Sequence, residues 1–104
     1  MSGQIIRQGD VILVSADAVP DGGKELPRVN GRILLALGEQ TGHAHAIADL
    51  SVKWIEVQGE RFLQSDVPFT VQHEEHDAQY VAPGAWWVGV QVEHQREEIR
   101  RILD

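Results

Sequence analysis

Short apolar runs separated by turn residues fill most of the chain, and they read as strands. Val11-Ile12-Leu13-Val14 is a continuous apolar run of the buried-strand type, and it gives way to the turn signal Pro20-Asp21-Gly22-Gly23. Lys24 to Asn30 reads as an irregular loop with Pro27 inside it and Asn30-Gly31 closing it; Arg32 to Leu37 resumes a strand, ended by Gly38. His43 to Ile47 is the next strand. Val52 to Gln58 alternates, with Val52, Trp54 and Glu56 on one face and Lys53, Ile55 and Val57 on the other. Gly59 breaks that run and Arg61-Phe62-Leu63 returns, which predicts a hairpin. Phe69 to His73 alternates again, with Phe69, Val71 and His73 on one face. Pro83-Gly84 is a turn, and Ala85 to Glu93 is the longest strand candidate, with the Trp86 and Trp87 indoles on opposite faces.

Only the end of the chain reads as helical. Ile99 and Leu103 fall on one face at i,i+4, and Glu97 can pair with Arg100 or Arg101. The expectation is a single all-β domain over residues 1–104. It is a small barrel or sandwich, jelly-roll or cupin-like, with a short C-terminal helix docked on it.

Composition narrows the function classes. With 104 residues, 42% of them apolar and 24% charged, the chain can build one core of ordinary globular type. It has no cysteine, which excludes disulfides and thiolate metal sites. A net charge of −7 opposes binding to phosphate backbones, so no nucleic-acid partner is expected. The basic residues are scattered except for Arg96, Arg100 and Arg101. Met1-Ser2-Gly3-Gln4 leads into no signal-peptide core, and no stretch approaches the ~20 apolar residues of a spanning helix. A cytoplasmic protein without a membrane partner is the expectation.

The one concentration of chemistry is histidine. Four of the five histidines fall in two close pairs, His43 with His45 and His73 with His76. On a strand, His43 and His45 point to one face about 6.5 Å apart, close enough to converge on one metal ion. His73 and His76 would face opposite sides of a regular strand, but one side of a turn or bulge. Glu74 and Glu75, between them, are candidates for ligand, ligand-orienting partner or general base. Neutral imidazoles suit a divalent transition metal such as zinc, iron, nickel or manganese. A metal-free acid–base or pH-sensitive cluster is the other chemistry open to these residues. His94, alone beside Glu93, reads as a surface residue.

Gly42-His43-Ala44-His45 through Asp49 resembles the first half of the cupin metal motif, in which a carboxylate follows His-x-His. Asp49 stands where cupins usually carry glutamate. Pro83-Gly84, after which that family places its third histidine, is followed here by Ala85-Trp86-Trp87. The order Thr41-Gly42-His43-Ala44-His45, His73-Glu74-Glu75-His76, Pro-Gly and a long strand also resembles a group of small uncharacterised bacterial and phage proteins, which implies no activity.

Two functions fit these residues. One is a small metalloenzyme acting on a small molecule, with His43 and His45 as ligands, His73 or His76 completing the set, and Glu74 or Glu75 as base. The other is an interaction module or homo-oligomer subunit whose histidine cluster is structural or metal-free.

Overall fold

A computed structural model of the chain describes residues 3–37 and 44–90. These residues are all-β. In chain order the strands are β1 (Ile5–Gln8), β2 (Val11–Ala16), β3 (Lys24–Glu25), β4 (Ile33–Leu37) and β5 (Ala44–Ile47). They continue as β6 (Lys53–Val57), β7 (Glu60–Ser65), β8 (Phe69–Val71), β9 (Gln79–Val81) and β10 (Gly84–Val90). One antiparallel sheet runs β1-β2-β10-β7-β6-β3, and two ribbons, β4-β5 and β8-β9, complete the body.

The alternation seen in sequence decides which face each strand buries. Val11 and Leu13, Trp86 and Val88, Trp54, and Leu63 point to one side of the large sheet. There they meet Ile33, Leu35, Ile47, Phe69, Val71 and Val81 from the two ribbons in a single core. Among the described residues the ribbons are bridged at Ala46 and Gln72, whose two backbone hydrogen bonds are each 2.9 Å.

The hairpin β6–β7 forms where Gly59 marks it. Gln58 (φ 52°) and Gly59 (φ 81°) are both left-handed, the backbone of a two-residue type I′ turn that matches strand twist. Other expectations need correction. Ile5–Gln8 is a strand that precedes the run at Val11, and Gly9-Asp10 is the hairpin turn joining the two. The supposed loop after Gly23 contains β3, and β9 was not legible as a strand at all. The run at Phe69 stops at Val71, not His73.

The barrel does not close. Among the described residues, the large sheet ends at β1 and β3, and neither edge joins a ribbon by a ladder. Between β1 and the β8–β9 ribbon a side chain takes the place of a ladder. Buried Gln8 donates from Nε2 to the carbonyls of Val71 (3.0 Å) and Asp77 (2.9 Å). Nothing in this arrangement supports the jelly-roll or cupin-like layout. The expected C-terminal helix, with Arg96, Ile99, Arg100, Arg101 and Leu103, lies outside the described residues, as do His43 and His94.

Candidate functional site

The bridge Ala46–Gln72 fixes the site, because it sets β5 beside the chain that leaves β8. Beyond Gln72 the ladder is continued by side chains. The Glu74 carboxylate accepts the Ala44 amide at 3.1 Å, where a neighbouring strand would offer a carbonyl. His73 turns the chain by accepting, at Nδ1, the amides of Glu75 (3.0 Å) and His76 (3.3 Å). This is the bonding an Asx turn uses. The turn brings residue 76 back to the side of residue 73, which a regular strand at i,i+3 would not do.

Three imidazoles therefore gather. Ring centroids are 4.2 Å apart for His45–His73, 4.6 Å for His73–His76 and 5.9 Å for His45–His76. Gly9 backs the cluster at close range. A Cβ there would lie 2.7 Å from His76 Nε2 and 3.1 Å from His45 Cε1, so only glycine leaves the rings room to converge.

His45 is 7% exposed and Gln8 4%, and the two are bonded, with His45 Nδ1 2.8 Å from Gln8 Oε1. Both protons of the Gln8 amide nitrogen are committed to carbonyls, so its oxygen must be the atom facing His45. A neutral His45 therefore carries its proton on Nδ1, and its Nε2 presents a lone pair. Burial pulls the His45 imidazole down to about 4, with His73 and His76 adding to the shift and Asp10 and Glu74 opposing it. The ring stays neutral at ordinary pH.

His73 is committed differently. Its Nδ1 lone pair is engaged by the turn amides, which places the proton of the neutral ring on Nε2. For Nε2 to bind a metal, the ring would first have to give up those bonds. Among the described residues, no group of three or more histidine, cysteine, aspartate or glutamate side chains stands in metal-holding geometry.

Of the sequence candidates, then, the structure brings together His45, His73, His76 and Glu74. Glu75 reaches the turn through its backbone amide. Asp49, the carboxylate suggested by the cupin motif, is elsewhere: its Oδ1 accepts the Thr70 amide at 3.4 Å. Beside the cluster lies a cleft of about 190 Å3 lined by Arg32, Ala44, Ala46, Gln72, His73 and Glu74. Gln8 and Gly9 were missed in sequence. The only signal for Gln8 is its place on the core-facing parity of β1, two residues after Ile6.

The fold and site define a small all-β domain with a histidine cluster at the junction of its two ribbons. The chain belongs to the domain-of-unknown-function family DUF8820, whose model matches residues 7–91. That match covers every described strand except the first two residues of β1. No curated protein and no solved structure matches it. Among the described residues no helix is long and apolar enough to cross a membrane.

Proposed function

We propose that this domain binds one divalent transition metal, with His45 Nε2 as the anchoring ligand. The observation that supports the reading is the Gln8–His45 pair. Metal-binding histidines characteristically donate their other ring nitrogen to a fixed acceptor, which sets the tautomer and orients the ring. Gln8 is such an acceptor, and His45 is kept neutral, as a ligand must be. Two imidazoles on one tetrahedral zinc would have ring centroids about 5 Å apart, and the His45 and His76 centroids are 5.9 Å apart.

His76 is the second ligand in this reading, and His43 the third, assigned from its i,i+2 spacing to His45. His73 serves as the turn that delivers His76. In an enzyme built on this site, Glu74 or Glu75 is the base. A second reading is favoured by the commitment of His73 Nδ1: a metal-free cluster in an interaction module, with neutral His45 as a proton acceptor.

Calorimetry on tag-free protein separates the two. Zinc or nickel should bind saturably, and His45→Ala, His76→Ala and His43→Ala should each weaken binding severely, while His94→Ala should not. Absence of both co-purified metal and binding heat sinks the metal reading in favour of the metal-free cluster.

A further inference from the structure

The large sheet has a second face, and its sequence is wrong for solvent. A sheet packed on one side ordinarily turns polar residues to the other. Here the register aligns Ile5 with Val14, Val14 with Trp87, Trp87 with Phe62, and Phe62 with Ile55. One apolar row thus crosses five strands outside the core cluster of the opposite face, with Phe62 buried among its neighbours and Val14, Trp87 and Ile55 half-buried. Ile5 is 57% exposed. The Trp87 indole lies flat along the sheet: a Cβ on Gly89 would meet its Cη2 at 2.7 Å, and its Nε1 donates to the Glu60 carboxylate. The turn at Gly23 makes a rim over Ile55 and Val57.

We propose that this face is a self-association surface and takes a second copy of the same chain. The charges at its two ends select that occupant. Arg7 flanks Ile5 on edge strand β1, and Glu25 lies opposite Ile55 on edge strand β3; both are exposed and on this same face. The six strands span about 24 Å from edge to edge. A two-fold axis running along the strands lays β1 of one copy over β3 of the other. It pairs Arg7 with Glu25 of the second copy twice and stacks the apolar rows on each other. An axis across the strands would lay β1 on β1 and keep Arg7 away from Glu25. The apolar row holds only five side chains, so the dimer belongs to the weak, reversible class.

Sedimentation equilibrium of the full chain at concentrations up to about 1 mM tests this. A reversible dimer is expected, with iodide quenching of Trp87 (Trp54 and Trp86 are buried) falling as it forms. Val14→Glu should raise the dissociation constant at least about tenfold. Arg7→Glu and Glu25→Arg, both at exposed positions that leave the core untouched, should each weaken the dimer, and the double variant should restore it. A monomer at every concentration overturns the proposal. If Trp87 is shielded in that monomer, the face is covered by the chain's own residues. A dimer indifferent to Val14→Glu and to the charge swap overturns it too, by placing the interface elsewhere.

Discussion

Gln8 Oε1 sits 2.8 Å from His45 Nδ1, and the same Gln8 side chain bonds the Val71 and Asp77 carbonyls. One buried amide thus does two things. It spans the gap between β1 and the β8–β9 ribbon, and it fixes the proton of the central histidine.

Gln8→Ala should therefore fail in both respects. The buried Val71 carbonyl, the part-buried Asp77 carbonyl and one imidazole N–H lose their partner, at a cost of about 1–3 kcal/mol in stability. Zinc affinity should fall about 10–100-fold, the range typical for removing a partner that orients a ligand. Urea denaturation reads the first and calorimetry the second. Unchanged affinity in a folded Gln8→Ala protein would mean that Gln8 is structural alone.

Gly9 and Gly31 offer a matched comparison. Both are left-handed, with φ of 58° and 81°, but a Cβ on Gly31 meets nothing within 4 Å while one on Gly9 meets His76 and His45. Gly31→Ala should cost only the backbone term, about 1 kcal/mol. Gly9→Ala should cost more, and it should shift the ring proton resonances of His45 and His76. Equal losses with unmoved histidine spectra would show that the rings do not depend on that close approach.

Much of the fold could be read from local pattern. The hairpin at Gly59 and the alternation from Lys53 to Val57 are properties of neighbouring residues. The spacing of the histidines likewise marked His45, His73 and His76, which the structure gathers. What escaped depends on distant partners. β9 has only Tyr80 and its neighbours opposite Thr70 to define it, and β1 carries exposed Ile5 and Arg7 on one face and buried Gln8 on the other. A buried glutamine has no periodic signature, because its burial is compensated by carbonyls 63 and 69 residues away. The open barrel follows from that same unladdered gap, which no local rule could foresee.

His73 should be replaceable by asparagine but not by alanine. The Nδ1 atom accepts two backbone amides in the turn, and an asparagine Oδ1 can accept the same pair. His73→Ala should cost about 1 kcal/mol and loosen His76, whereas His73→Asn should retain most stability and, in the metal reading, most zinc affinity. If both variants abolish metal binding while remaining folded, His73 is itself a ligand.

The acid limb of stability should carry the signature of His45. An unfolded chain holds its histidine near the ordinary value of about 6.5, while burial, foremost, holds His45 in the native protein at about 4. Above the higher value neither state binds the proton, so the full stability is present. Between the two values the unfolded chain is protonated and the native one is not, so stability falls as the pH falls. Below the lower value both are protonated and His45 contributes no further loss. The whole effect is on the order of 3 kcal/mol at most. Carboxylates also titrate in this range, so the measurement is a difference: urea denaturation of metal-free wild type and His45→Gln from neutral pH to pH about 4. The wild type should lose stability faster than the variant across that window, with the gap between the two curves opening from about pH 6.5 downward. Parallel curves would mean that His45 titrates alike in both states and is not held neutral by its surroundings.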